Sequence, residues 1–270
     1  MKQRIITALV LLPVVVAAVL WLPPNWFLAL FSAVLLLGLW EWTRLSGMVR
    51  PELRAVVLAV NAGVLAWLAW RGWPGLFPVV TLLGVLWWMV AMIWLGRIRM
   101  AREPSRGNTL IKLIVGSMLV VPAFTGAGLL HAGPDGPRWM LYCLIIVFAA
   151  DTGAYFVGSR IGGAKLAPSI SPGKTWAGFW GGLGGACLVA TMAVPTLGMG
   201  WTSLPGMVLA ALLTALASVV GDLFESLIKR HSGAKDSGRL VPGHGGVMDR
   251  LDSIVAAVPT FAVLKSWLLL

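Results

Sequence analysis

The chain has 270 residues, 59% of them hydrophobic and 11% charged, with a mean hydropathy of +0.88. Soluble domains carry roughly a quarter charged residues, so polar side chains are too few here to cover a water-soluble globule, and disorder is excluded because it needs low hydrophobicity. A formal charge of +11 would suggest nucleic acid in a soluble protein, but the basic residues fall between apolar runs, which points to membrane orientation and to no nucleic-acid partner.

Apolar runs occupy 5–22, 27–43, 55–70, 75–96, 110–130, 139–157, 176–197, 204–224 and 253–270. Most approach the ~20 residues that cross ~30 Å of hydrocarbon. The expectation is an all-α polytopic integral membrane protein with about nine transmembrane helices. The first run is longer than the core of a signal peptide and is read as a span; Asn61 and Gly63 dilute the third. Fifteen Trp against two Tyr fit indole rings at lipid headgroups. Cys143 and Cys187 lie inside apolar runs and read as buried thiols rather than a disulfide framework.

Basic residues set the orientation. Lys2 and Arg4 precede the first span, Arg44, Arg50 and Arg54 follow the second, and Arg97, Arg99, Arg102, Arg106 and Lys112 follow the fourth. Arg160, Lys165 and Lys174 follow the sixth; Lys229, Arg230, Lys235, Arg239 and Arg250 follow the eighth. Of the 21 basic residues only Arg71, Arg138 and Lys265 fall on the other side. The positive-inside rule then places the N-terminus in the cytoplasm and, after nine crossings, the C-terminus outside. Residues 1–135 hold about five spans. Residues 136–270 hold the rest and two longer cytoplasmic loops, 158–175 and 225–252, so any site is membrane-embedded and opens to the cytoplasm.

Six of the ten acids, Asp151, Asp222, Glu225, Asp236, Asp249 and Asp252, lie beside those loops. A carboxylate at membrane depth is costly and faces a polar cavity or a partner, which applies to Asp151 and Asp222. At 100° per residue Asp222, Glu225, Ser226 and Lys229 share one helical face. A pair of salt links at a helix end explains such a stripe equally simply, but Asp222 is too deep for a solvated face. The stripe also leads into Pro242-Gly-His-Gly-Gly246, whose glycines admit φ > 0 and an anion nest. Asp252 reads as a helix cap. Asp222 and Asp249, at similar depth, suit Mg²⁺, which takes one or two carboxylates plus waters and substrate phosphates. Lys229, Arg230, Lys235, Arg239 and Arg250 would neutralise phosphate oxygens, so the combination reads as phosphoryl or nucleotidyl transfer. Gly173-Lys-Thr175 is no P-loop, because Pro168 stands where glycine is required; it is a Ser/Lys/Thr cluster at a helix start, suited to an anion. The glycines at 178, 181, 182, 184 and 185 read as close helix packing, and His131 and His231 as interfacial or loop residues. The ionisable cluster lies in the C-terminal half only and has no duplicate, unlike the repeats of a secondary transporter.

The order Ser226-Leu-Ile-Lys229-Arg230, Lys235-Asp236, His244-Gly-Gly246, then Asp249-Arg250-Leu-Asp252 resembles the signature of the phosphatidate cytidylyltransferases (CDP-diacylglycerol synthases). Ala150-Asp151-Thr-Gly-Ala-Tyr-Phe156 and Ser171-Pro-Gly-Lys-Thr-Trp176 resemble the family's secondary motifs, and the likeness covers essentially the whole chain. Many relatives carry Glu or Gln where this chain has Ala177, so no polar side chain is expected to be essential there. The resemblance implies Mg²⁺-dependent conversion of CTP and phosphatidate into CDP-diacylglycerol and pyrophosphate, in a bacterial-type cytoplasmic (inner) membrane among membrane lipids. It also implies a monovalent cation such as K⁺ beside Mg²⁺, and a homodimer. On this reading Asp222 and Asp249 hold the metal, while Lys229 and Arg250 neutralise the α-phosphate and pyrophosphate. Ser171, Lys174 and Thr175 hold the lipid headgroup, His244, Gly245 and Gly246 contact the triphosphate, and Asp151, Arg230, Lys235 and Asp236 complete the substrate-binding set. The nearest alternative is a lipid-phosphate transferase that uses another nucleotide or a polyprenyl phosphate.

Overall fold

The computed structural model describes residues 2–72, 75–241, 243 and 245–268, and their side chains except those of 2–8 and 72. Seven helices among the described residues are long and apolar enough to cross a membrane. These are α2 (Pro24–Leu45), α3 (Pro51–Trp67, continued by a π turn), α4 (Leu76–Leu95), α5 (Arg106–His131), α6 (Gly136–Ile161), α7 (Trp176–Thr196) and α8 (Leu204–His231, led by a 3₁₀ turn). The chain is thus an integral membrane protein, and seven of the nine expected runs have spanning length. Of the outer two, the first forms α1 (Lys2–Trp21), a helix of 20 residues, and the last forms the shorter α10 (Ile254–Trp267), preceded by the single turn α9 (Met248–Leu251).

Helix starts follow local chemistry. Proline opens α2, α3, α6 and α8, where its missing N–H costs no hydrogen bond. Ser105 caps α5 by accepting the Asn108 N–H at 3.1 Å, and Thr175 caps α7 by accepting the Gly178 N–H at 3.1 Å. One region departs from the all-α expectation. Within 158–175, β1 (Lys165–Ala167) pairs antiparallel with β2 (Ser171–Thr175), and this hairpin presents Lys174 and Thr175 to α7 and α8.

Helices of the two halves interleave, with α10 lying against α4, α5 and α8, and α9 against α2. Not all tryptophans sit at headgroup level. Trp42, Trp88, Trp94 and Trp139 are core residues, whereas Trp21, Trp26, Trp67, Trp70 and Trp201 are exposed near helix ends. Trp42, Trp87, Trp88 and Trp94 surround the Phe224 ring at centroid distances of 6.2, 6.0, 6.1 and 5.5 Å. That aromatic box fixes the rotation of α8 between Asp222 and Glu225. His131, the last residue of α5, is buried and stacked on Phe27 at 4.0 Å. Both cysteines are free thiols; Cys143 is buried and Cys187 half-buried.

Close packing of α6 on α7 accounts for four of the five glycines singled out above. A Cβ on Gly178, Gly181, Gly182 or Gly185 would press on α6, chiefly on its carbonyl oxygens, whereas one on Gly184 meets nothing within 4 Å. Gly182→Ala, whose Cβ would stand 2.8 Å from the Ala150 carbonyl oxygen, is therefore expected to cost about 1–3 kcal/mol by overpacking. Gly184→Ala is expected to leave the thermal midpoint in detergent unchanged. Equal midpoints for the two variants would refute this account of the seam.

Candidate active site

Asp222 sits on α8 where the apolar run ends. Its Oδ2 pairs with Lys174 Nζ from the hairpin at 2.6 Å, and its Oδ1 accepts the Ser226 hydroxyl at 3.3 Å. Asp222 and Lys174 line a cavity of about 520 Å³ bounded by α6, α7, α8 and the hairpin. Asp151, Ser159, Lys174, Thr175 and Asp222 supply its polar lining, and Phe179, Leu183 and Val219 are among the apolar residues that line it. Asp151 has Asp222, Lys174 and Arg250 as charged neighbours. Ser171 lies on β2 but is not among the residues lining this cavity.

The second centre is Asp249, on α9. Its Oδ1 accepts Lys229 Nζ at 2.8 Å. The Ser237 N–H reaches both carboxylate oxygens at 3.1 and 2.9 Å, and the Gly246 N–H reaches Oδ2 at 2.8 Å. Both carboxylate oxygens of Asp249 are thus held by donors from Lys229, Gly246 and Ser237. Lys229 also pairs with Glu225 one helical turn earlier, so the simple salt link at a helix end does form, with Asp249 added to it. Asp252 links the two centres. Its Oδ1 accepts the Ser253 N–H at 2.7 Å, but Ser253 is the N-cap of α10 and no side chain caps that helix, so Asp252 is not the cap that the sequence suggested.

The remaining expected residues are placed as follows. Arg230 turns to the hairpin and donates from Nε to the Ile170 carbonyl at 3.0 Å. Lys235, Asp236 and Arg250 are exposed. Gly243 and Gly245 have φ of +74° and +85°, the backbone that the glycine reading requires. Gly246 serves differently, because its N–H is committed to Asp249. His244 lies outside the described residues.

Sequence reasoning missed Glu41. This α2 residue is 4% exposed, and its Oε2 accepts the Ser237 hydroxyl at 2.8 Å and the Met248 N–H at 2.9 Å. Arg44 Nη2, one turn on, donates to the Ser237 carbonyl at 3.1 Å. The ionisable cluster is therefore not confined to the C-terminal half. The missed signal was an acid inside the apolar run 27–43, which is costly there without a partner. Glu225 was noted on the stripe but given no role; it is 1% exposed, and its Oε1 has no hydrogen-bond partner among the described residues.

Among the described residues no three His, Cys, Asp or Glu side chains converge as a metal cage. Mg²⁺ needs none, since one or two carboxylates with waters and phosphates complete its octahedron. The donors present are all hard carboxylate oxygens, and one of them, on Glu225, is buried and unpaired among the described residues. The donor chemistry suits a hard divalent cation.

A chain with carboxylates and an ammonium lining a cavity between spanning helices, and a buried ion-pair cluster on α8 and α9, has the makings of a membrane-embedded transferase of anionic groups. The sequence matches the cytidylyltransferase family over residues 2–268, and the chain belongs to that family. It is 42% identical to a phosphatidate cytidylyltransferase of Pseudomonas aeruginosa, over 98% of this chain and 96% of the relative. A protein of the same name from Haemophilus influenzae is 36% identical over 97% of each chain. One from Mycobacterium bovis is 32% identical over 98% of this chain and 88% of the relative.

Proposed function

We propose that the chain transfers a cytidylyl group from CTP to phosphatidate, giving CDP-diacylglycerol and pyrophosphate. Full-length likeness to proteins that carry this activity in their name supports the reaction. The observation that carries the site is a cavity lined both by Lys174, Thr175, Asp151 and Asp222 and by apolar side chains, a mixture that suits a phosphate headgroup on acyl chains.

An oxygen of the lipid phosphate attacks the α-phosphorus of CTP, forming one P–O bond as the bond to pyrophosphate breaks. The attacking oxygen is already anionic, so no strong general base is needed, and catalysis rests on positioning and charge neutralisation. Lys174 and Thr175, with Ser171 nearby on the same strand, receive the headgroup. The Lys229 ammonium spends two of its three N–H donors on Glu225 and Asp249, leaving one for a phosphate oxygen. Arg250, exposed beside the Asp151 carboxylate, meets the nucleotide phosphates or the departing pyrophosphate. The positive-φ glycines 243 and 245, with His244 between them in sequence, form the triphosphate side, and Arg230, Lys235 and Asp236 border it. Mg²⁺, held by Asp222 and Asp249, supplies neutralisation of the triphosphate charge when bound. A monovalent cation such as K⁺ and a homodimer are carried over from the family resemblance.

The orientation is part of the same proposal. Counting α1 and α9–α10 as the first and last spans gives nine crossings, with the N-terminus cytoplasmic and the C-terminus outside. The acids and bases of the 158–175 and 225–252 loops then open to the cytoplasm from a bacterial inner membrane. At about 1.5 Å per residue, the 14 residues of α10 cover about 21 Å, so its flanking residues must complete the crossing.

The test uses detergent-purified protein with phosphatidate, Mg²⁺ and, separately, CTP, dCTP, ATP, GTP and UTP. The expected result is lipid-dependent pyrophosphate release with cytidine nucleotides only, abolished by EDTA, with CDP-diacylglycerol as the lipid product. Turnover with another nucleotide would move the chain to a different lipid-phosphate transferase.

A further inference from the structure

A buried carboxylate in the N-terminal half reaches across to the loop that carries Asp249, and nothing in the transfer chemistry above accounts for it. Glu41 is 4% exposed within a spanning helix. A charge there is costly, and it persists where partners repay it. Its partners are all on one loop: the Ser237 hydroxyl and the Met248 N–H, both on Oε2. Oε1 has no hydrogen-bond partner among the described residues. It lies where a Cβ on Gly238 would fall, as Oε2 does for Gly246. The Glu41 carboxylate fills the space beside Gly238, and together with the Ser237 hydroxyl and the Gly238 nitrogen it fills the space beside Gly246.

The same loop atoms orient Asp249. Ser237 donates its N–H to both oxygens of Asp249, and its hydroxyl accepts the Asp249 N–H at 3.2 Å. Gly246, packed against Glu41, donates to Oδ2. Three of the backbone contacts that hold Asp249 thus pass through residues that Glu41 touches, and Arg44 grips the Ser237 carbonyl from the same helix.

We infer that Glu41 is a positioning residue of the transfer site, which through Ser237, Gly246 and Met248 sets the orientation of the Asp249 carboxylate for cation binding. This rests on the assignment of Asp249 to a divalent cation. Outer partners of metal-holding carboxylates are worth roughly 10- to 100-fold in metal affinity.

The experiment measures Mn²⁺ as the probe, by the electron paramagnetic resonance of the free ion, with detergent-purified protein and CTP but no phosphatidate. Thermal midpoints are recorded in parallel without metal. Glu41→Ala is expected to weaken Mn²⁺ binding about 10- to 100-fold. Glu41→Gln retains an oxygen able to accept both bonds and is expected to recover most of that loss. Where Glu41→Ala does not yield folded protein, Ser237→Ala breaks the same link and is expected to weaken Mn²⁺ in the same direction. A Glu41→Ala protein, or in its stead a Ser237→Ala protein, that binds Mn²⁺ like wild type overturns the inference, whatever its thermal midpoint. Asp249→Asn separates the two levels: wild-type Mn²⁺ binding in that variant sinks the cation assignment itself, whereas loss there without loss in Glu41→Ala sinks only the role of Glu41.

Discussion

Asp249→Asn is expected to lower turnover about 10³-fold, on the order of 4 kcal/mol of transition-state stabilisation, in a protein that still folds. The carboxylate accepts from the Lys229 ammonium, the Ser237 N–H and the Gly246 N–H. An asparagine has one oxygen where Asp249 has two, so its amide group must point a donor at one of these donors. The charge that opposes Lys229 is also halved, because only Glu225 remains. Folding should survive, since the Ser237 hydroxyl and Met248 N–H keep their bonds to Glu41. Pyrophosphate release at saturating CTP and phosphatidate measures the effect, with helicity by circular dichroism as the control. Turnover within a few-fold of wild type would remove Asp249 from the chemistry and leave it a structural ion-pair residue.

The spanning helices were legible because a bilayer imposes length and apolarity together, and few sequences satisfy both by chance. The last run yields a helix of only 14 residues for a physical reason. The chain just ahead of it is taken up by α9 and the turn at Asp252–Ser253, where backbone N–H groups bond to Glu41 and Asp252. The hairpin was not legible, since Lys165–Thr175 mixes Pro, Gly, Ser and Lys without the alternation that marks a strand. Polar residues within one loop or one helical stripe could be grouped from sequence. Pairs between distant segments could not: Lys174 meets Asp222 and Glu41 meets Ser237 only after α7 and α8 have packed and α2 has docked. Gly246 shows the same limit. Its place beside a histidine suggested a free N–H for an anion, yet the structure spends that N–H on Asp249 and the missing Cβ on Glu41.

Lys229→Met should separate stability from transfer at the same residue. The ammonium lies between Glu225 and Asp249, with its own side chain 12% exposed and those of its partners 1% and 7%. Removing one member of a buried ion pair costs roughly 3–5 kcal/mol, because the remaining charge stays buried and unpaired. A marked fall in the thermal midpoint is therefore expected together with loss of turnover. Glu225→Gln in the same chain removes one of the two orphaned carboxylates, and the double variant is expected to regain much of the midpoint. Turnover should not return with it, because the N–H that remains for a phosphate oxygen after Glu225 and Asp249 are served has no replacement on methionine. Thermal midpoints and pyrophosphate release on both proteins decide the matter. Activity that recovers in step with stability would reduce Lys229 to a structural cation and hand charge neutralisation in the transfer to Arg250 and Lys174.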